Sequence, residues 1–182
     1  KRGATAVGIE YNPDMVTLSQ NNAKAAGVAD RATFVKADLF ETDFSKATVV
    51  TMFLLPSINM KLRPKILDLK PGTRIVANTF TMEDWQADQT ETVTDGCSSS
   101  WCTALLWIVP AKVAGTWNTP NGALTLAQNF QKISGSAQVD GRPLTLANAR
   151  LAGDAAAAGV RADRRRRRRR RPRRHPTRGA RR

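Results

Sequence analysis

Residues 6–13 of this chain read Ala-Val-Gly-Ile-Glu-Tyr-Asn-Pro, and they decide the predicted fold. The apolar run Ala6–Ile9 predicts a buried strand, which we expect to run from Ala4 to Glu10. Asn12 and Pro13 then predict a helix start, because asparagine caps free backbone N–H groups and proline fits the first turn. Parallel sheets bind ligands at the carboxyl ends of their strands, where a carboxylate can accept hydrogen bonds from both ribose hydroxyls. A strand that merely ends in a solvated glutamate is the simpler alternative.

Strand and helix patterns alternate after this stretch. A helix is expected from Asn12 to about Ala26, where Gly27 ends it. The segments that follow are strands at Ala32–Ala37, Thr48–Leu55 and Arg74–Phe80, with a helix between Pro56 and Leu69. This order predicts βαβ units in a parallel sheet, with the apolar strand Thr48–Leu55 in its middle.

The pattern changes near Thr90, where short segments are broken by Gly, Pro and Asn. Asn121-Gly122 and Asp140-Gly141 are hairpin signals. No connection is long enough for a crossover helix, so this half is predicted to be antiparallel, either extending the parallel sheet or forming a separate β-subdomain. The predicted strands are Thr103–Val109, Lys112–Asn118, Ala123–Ile133, Ser136–Val139 and Leu144–Leu151. The predicted domains are 1–89 (α/β), 90–154 (antiparallel) and 155–182 (a disordered, Arg-rich tail).

The positive charge is concentrated in the tail. The chain of 182 residues has a net charge of +14, but Arg161–Arg182 holds 14 arginines and one aspartate, which leaves +1 for the rest. The run Arg164–Arg171 cannot form a core. Three interpretations stay open: the tail binds nucleic acid or another polyanion, it is a targeting signal, or it is an out-of-frame product of GC-rich codons, which we favour.

Residues suited to metal or triad chemistry are scarce. Cys97 and Cys102 have neither CxxC spacing nor a second pair, so we predict no metal site and expect two free thiols, with a disulfide as the alternative. The one histidine, His175, lies in the tail.

The sequence contains no run of 18 apolar residues, the length that a membrane-spanning helix needs, so we predict no membrane span. The localisation is cytoplasmic by default, with export left open.

A second acid follows the next predicted strand. In Phe34–Phe40, which reads FVKADLF, Asp38 ends the strand that neighbours Ala6–Glu10 in the chain. Adjacent strand ends can contact two parts of one nucleoside: Glu10 the ribose, and Asp38 the exocyclic amine of adenine. Leu39 and Phe40 would supply an apolar wall and a backbone N–H to the ring.

These two stretches, together with Leu69–Val76 (LKPGTRIV), resemble the class I S-adenosylmethionine-dependent methyltransferases over roughly Lys1–Trp85. The resemblance implies a Rossmann-like parallel sheet, S-adenosylmethionine as cofactor, and contacts to it from Gly8, Glu10, Tyr11, Asn12, Asp38, Leu39 and Phe40. The family's first strand and glycine-rich loop would precede Lys1. We therefore expect weak or absent cofactor binding by these 182 residues.

Within that class, Phe53–Pro56, Leu69–Val76 and Trp85 are similar to the DOT1-like and the ATP-synthase c-subunit lysine methyltransferases. This implies protein-lysine N-methylation, with the acceptor near Thr51, Met52, Phe53 and Trp85, although a small-molecule acceptor stays open. For Phe53, Phe80 and Trp85, core packing is the alternative. We also expect Trp101, Trp107 and Trp117 to pack in a core.

Methyl transfer mainly requires alignment of donor and acceptor, so the chemistry needs no histidine, and no catalytic residue is assigned. Two other functions stay open. One is a non-catalytic polyanion-binding protein that acts through the tail. The other is an NAD-type oxidoreductase, in which Glu10 would bind the ribose of NAD.

Overall fold

The structure is a computed structural model that describes residues 3–120, 122–139 and 141–162. The run Arg164–Arg171, His175 and the two hairpin residues Asn121 and Asp140 lie outside the described residues. The chain divides into two compact units: Lys1–Ala111 with Ala152–Ala155, and Lys112–Leu151 with the residues from 156 onward. The domain limits 1–89, 90–154 and 155–182 stay a prediction.

The first unit contains the alternating elements that the sequence predicted and one further strand, Gln89–Thr92, that it did not predict. In chain order they are β1 (Ala6–Glu10), α1 (Pro13–Ala25), β2 (Ala32–Lys36), β3 (Val49–Met52), α2 (Pro56–Leu67), β4 (Arg74–Asn78), β5 (Gln89–Thr92) and β6 (Thr103–Ile108). The predicted cap is confirmed, since Asn12 Oδ1 accepts a hydrogen bond from the backbone N–H of Asp14 at 2.8 Å.

Parallel pairing occurs twice, in two separate sheets. β1 pairs with β2, with Glu10 opposite Lys36. β3 pairs with β4 in a four-stranded sheet of order β3-β4-β6-β5, in which β6 is antiparallel to both of its neighbours. The one continuous parallel sheet that the sequence predicted is therefore divided. β3, expected in the middle of that sheet, is an edge strand because β4 is its one pairing partner.

The core of the first unit lies on one face of β4 and β6. Ile75 is paired with Trp107 and Ala77 with Leu105, so the four side chains project from one face of the sheet, and all are buried. Further buried side chains come from α2 and from the chain after β4: Leu62, Ile66, Met82 and Trp85. Trp107 Nε1–H donates to the backbone carbonyl of Trp85 at 2.7 Å, which satisfies the indole in an apolar core.

The second half is antiparallel, as predicted. Its strands are β7 (Gly115–Thr119), β8 (Gly122–Asn129), β9 (Lys132–Val139), β10 (Arg142–Ala152) and β11 (Ala155–Ala162), in the sheet order β11-β10-β9-β8-β7. A small apolar cluster forms around Ile133, Ala149 and Leu151. β5 and β6 extend the β3–β4 sheet, while β7–β11 form a separate one, so both alternatives for this half occur. β11 falls in the segment predicted to be disordered.

Within the residues that the structure describes, neither helix has the length and the apolar content that crossing a membrane requires.

Candidate functional site

The carboxyl ends of β1 and β2 bring Glu10 and Asp38 to one edge of a parallel sheet. The register places Glu10 opposite Lys36, and the backbone N–H of Ala37 donates to the carbonyl of Glu10 at 3.0 Å. Asp38 follows directly. The predicted neighbourhood of the two acids is therefore present at the edge where parallel sheets bind ligands.

Each acid is held by the turn that follows it. Glu10 Oε1 accepts the backbone N–H of Asn12 at 2.8 Å, and Asp38 Oδ1 accepts the backbone N–H of Phe40 at 2.8 Å. Both bonds span two residues and orient the carboxylate with one oxygen, leaving the other oxygen of each group for further donors. We term Glu10 and Asp38 the acid pair.

The other predicted cofactor contacts surround this pair with different environments. Tyr11 is 75% exposed, whereas Leu39 and Phe40 are half-buried. Gly8 lies opposite Phe34, and a Cβ at Gly8 would come within 2.3 Å of the Phe34 ring. Glycine at this position is thus required by the packing of that ring against the strand.

Phe40 is already engaged on two sides. Its N–H is donated to Asp38, so the N–H expected to contact adenine is used within the turn. Lys61 Nζ lies 4.1 Å from the centre of its ring, and Lys65 Nζ donates to its carbonyl at 2.8 Å. Two lysines of α2 therefore position the loop that carries Asp38.

Three aromatic rings meet where β3 and β4 end. Phe53 directly follows β3, Phe80 lies two residues after β4, and Trp101 lies two residues before the antiparallel β6. Their ring centres are 5.7 Å apart for Phe53 and Phe80, 5.5 Å for Phe53 and Trp101, and 5.3 Å for Phe80 and Trp101. Phe53 is 59% and Trp101 46% exposed. We term these three rings the aromatic trio.

The turn that carries Phe80 is strained and anchored. Thr79 has a φ of 62°, in the left-handed region that a β-branched residue rarely adopts. The side chain of Asn59, fully buried on α2, donates from Nδ2 to the carbonyls of Phe80 and Thr81 at 3.4 and 3.2 Å. Arg63, one turn along α2, donates to the carbonyl of Met82 at 3.1 Å and pairs with Asp84.

The segment that carries Trp101 is closed by a disulfide between Cys97 and Cys102. The sequence favoured free thiols, and that expectation is wrong. Ser99 Oγ accepts the backbone N–H of Trp101 at 3.2 Å and lies 3.8 and 3.9 Å from the two sulfurs. The spacing gave no indication of pairing, because a four-residue gap matches no common motif.

The predicted acceptor residues do not share one environment. Thr51 and Phe53 are exposed on the same side of β3, whereas Met52 is buried on the other side. Trp85 is fully buried and packs 6.2 Å from Trp107, measured between ring centres. The large apolar surface of Trp85 is thus sequestered in the core, the alternative that the sequence left open.

Trp101 and Asn59 were not predicted from the sequence to belong to the site. Trp101 was expected in a core together with Trp107 and Trp117, but only Trp107 is buried; Trp117 is 49% exposed. No local pattern reveals these two positions, because Trp101 reaches the trio through pairing of β6 with β4. The described residues contain no grouping of three His, Cys, Asp or Glu side chains that could hold a metal ion.

Several known proteins resemble this chain. Residues 1–89 match the family model of the ANTKMT methyltransferase domain. The crystal structure of an RNA methyltransferase from Salinibacter ruber in complex with S-adenosyl-L-homocysteine is 43% identical and has a TM-score of 0.56; the match covers 64% of this chain and 73% of that one. This chain belongs to the S-adenosylmethionine-dependent methyltransferases. The cofactor of this family is S-adenosylmethionine, as the sequence predicted.

Curated relatives of this methyltransferase chain carry lysine-directed names. A protein-lysine N-methyltransferase from Saccharolobus islandicus (strain REY15A) is 45% identical over 92 residues, which are 50% of this chain and 57% of that protein. The ATP synthase c-subunit lysine N-methyltransferase from Mus musculus is 36% identical over 91 residues, 50% of this chain and 37% of that protein. The chain thus spans less than two thirds of the length of either curated relative.

Proposed function

We propose that this chain is an S-adenosylmethionine-dependent protein-lysine N-methyltransferase domain of the Rossmann-like class I type. The observation that carries the proposal is the acid pair: two carboxylates at the carboxyl ends of adjacent parallel strands, within the residues that match the methyltransferase family model. The domain limits 1–89 and 90–154 remain part of the proposal.

The acid pair fits the adenosine half of the cofactor. A ribose offers two hydroxyl donors and adenine offers an exocyclic amine, and both need acceptors at a fixed separation. Glu10 and Asp38 are held on neighbouring strands by bonds of 2.8 Å to their own turns, so they are oriented before a ligand arrives. We assign Glu10 to the ribose, Asp38 to the adenine amine, and Leu39 and Phe40 to the ring face. Gly8, Tyr11 and Asn12 complete the strand and turn that present Glu10.

The proposed acceptor is the side-chain amine of a protein lysine. The names of the relatives from Saccharolobus islandicus and Mus musculus point to this acceptor. The aromatic trio and Thr51, at the carboxyl ends of β3 and β4, provide apolar surface for the methylene stem of a lysine. Met52 supports this strand from the buried side.

The chain's residues would bind, orient and desolvate the reactants. The bound cofactor supplies a methyl group already activated on a sulfonium sulfur. Only the neutral amine attacks, so the acceptor ammonium must first give its proton to water. An apolar surface favours this loss, because desolvation lowers the pKa of an amine. The described side chains therefore act chiefly by alignment, which accelerates a bimolecular transfer strongly.

Calorimetric titration of the full chain with S-adenosylhomocysteine tests the cofactor assignment. Glu10→Ala and Asp38→Ala are each expected to raise the dissociation constant about 10- to 100-fold, since hydrogen bonds to charged groups contribute about 1.5–3 kcal/mol. Asp30→Ala removes an exposed acid that pairs with Arg31 outside the site, and is expected to leave the affinity unchanged. Equal affinities in all three variants would contradict the assignment.

Two further titrations separate the alternatives. Binding of NAD+ in place of S-adenosylhomocysteine would favour the oxidoreductase. Salt-dependent DNA binding that disappears when residues 161–182 are deleted would favour the polyanion binder if no methyl is transferred.

Incubation with methyl-labelled cofactor and cell extract, followed by protease or ribonuclease treatment, tests the acceptor. Label released by protease supports protein methylation; label released by ribonuclease points to RNA, the acceptor named for the Salinibacter ruber protein.

A further inference from the structure

Two rings of the aromatic trio present apolar surface to water. Phe53 is 59% and Trp101 46% exposed, so much of their apolar surface faces water in the first unit. Apolar rings buried in a core stabilise a fold by excluding water, as Trp85 and Trp107 do here. Contiguous exposed apolar patches mark binding surfaces. The exposure of two of these three rings therefore points to a ligand.

Three separate features fix the trio in place. The Cys97–Cys102 bond closes the loop that carries Trp101. Strained backbone at Thr79, with a φ of 62°, turns the chain toward Phe80. Asn59, from inside the unit, holds the carbonyls of Phe80 and Thr81. Strain of this kind persists only where the surroundings hold it, and it is concentrated at functional sites.

The trio's chemistry and position select the ligand. Aromatic faces attract organic cations, and tryptophan does so most strongly. The rings lie at the carboxyl ends of β3 and β4, the edge where parallel sheets bind ligands. Centre-to-centre distances of 5.3–5.7 Å leave no space between the rings, so a cation can approach only their outer faces.

We propose that Trp101, held against Phe53 and Phe80 by the Cys97–Cys102 disulfide, is a specificity-determining residue that receives the side-chain ammonium of the acceptor lysine. This inference rests on the proposed lysine methylation and names the residue that selects its acceptor. The methylene stem lies along Phe53, and the ammonium binds the exposed face of Trp101 before it gives its proton to water; the amine that is then methylated is neutral. Phe80 supports both rings from beneath. The disulfide positions Trp101 and makes no contact with the acceptor.

The test is an NMR titration of the full, oxidised chain with Nα-acetyl-lysine methylamide, monitored at the indole N–H signals. The matched neutral probe is the same molecule acetylated on its side-chain nitrogen. We expect the charged probe to shift the Trp101 signal and to bind at least about threefold more tightly than the neutral probe, as expected for a cation–π contact. Equal binding of the two probes would overturn the proposal in favour of a purely apolar ligand.

Substitutions test whether binding of the charged probe depends on Trp101. Trp101→Ala is expected to raise the dissociation constant of the charged probe about 2- to 30-fold, and Trp101→Phe to restore most of the affinity. Trp117→Ala, which removes an exposed tryptophan of the second unit, is expected to change nothing. Unchanged binding in Trp101→Ala, or equal loss in Trp117→Ala, would overturn the assignment.

The double variant Cys97→Ser, Cys102→Ser tests the positioning role, because it keeps the indole and removes its anchor. We expect weaker probe binding and a broadened Trp101 signal. The Trp107 signal, which reports the buried bond to Trp85, is expected to stay in place and shows that the unit is folded. Probe binding as tight as in the parent chain would show that the disulfide has no positioning role.

The probe titration needs neither the cofactor nor turnover, so the two proposals can fail separately. Trp101-dependent probe binding without protein methylation would refute the proposed function and keep the amine site. Protein methylation whose acceptor KM and kcat are unchanged by Trp101→Ala would refute the amine site and keep the proposed function.

Discussion

The carboxyl ends of β1–β2 and of β3–β4 occupy equivalent positions in two parallel strand pairs, yet they are built in opposite ways. The first presents the acid pair, each carboxylate oriented by a backbone N–H two residues further along the chain. The second presents the aromatic trio, whose rings come from three separate segments and depend on α2, a strained turn and a disulfide.

The two edges differ in whether their side chains are held mainly by residues close in the chain or by contacts between distant segments. Each carboxylate of the acid pair is oriented by a backbone N–H of its own turn, and contacts from α2 to Phe40 add support only to the loop of Asp38. The trio has such local support only at Trp101, whose backbone N–H donates to Ser99 Oγ, and its three rings meet through the pairing of β3, β4 and β6. The edge at β1–β2 thus suits polar groups such as those of a nucleoside. The edge at β3–β4 suits an apolar chain that ends in a cation.

The largest expected effect on stability comes from removing a buried tryptophan side chain from the core of the first unit. Trp85→Ala is expected to lower the free energy of unfolding by about 3–5 kcal/mol, as for other buried aromatic deletions, because Trp85 is fully buried against Trp107. Trp101→Ala, at an exposed ring, is expected to cost about 1 kcal/mol or less. Urea denaturation measures both. If the two costs were equal, the distinction between core and surface tryptophans would be wrong.

An intermediate effect is expected at Asn59. Asn59→Ala leaves two carbonyls of the Phe80 turn without their donor and is expected to cost about 1–3 kcal/mol. Asn21→Ala, at an exposed position of α1, serves as the control and is expected to be near neutral. Asn59→Ala is also expected to weaken binding of the lysine probe while the affinity for S-adenosylhomocysteine stays unchanged. A loss of both affinities would show that the two edges are coupled.

The smallest effect is expected at Thr79. Asparagine tolerates a positive φ better than a β-branched residue does, so Thr79→Asn is expected to raise the free energy of unfolding by about 0.5–1 kcal/mol. Thr81→Asn, two residues away and without a positive φ, is the matched control, and we expect no gain there. Thermal denaturation of both variants distinguishes them, and destabilisation by Thr79→Asn would argue against strain at this turn.

The sequence alone determined the elements of the first unit, except β5, and the positions of the acid pair. The strand Ala6–Glu10, the cap at Asn12, and the acids after β1 and β2 depend on interactions between residues a few positions apart, and such interactions are visible in a local pattern. The antiparallel character of the second half was also predicted, but the turn between β8 and β9 fell inside one predicted strand, Ala123–Ile133, and β11 was not predicted.

The tertiary structure alone decided the burial of Trp85, the exposure of Trp101, the Cys97–Cys102 bond and the division of the parallel strands between two sheets. Each depends on which segments meet across the fold, and the identity of a tryptophan or a cysteine is compatible with either environment. An aromatic ring is hydrophobic and therefore favours apolar contact, but long-range strand pairing decides whether the protein core or a ligand provides that contact.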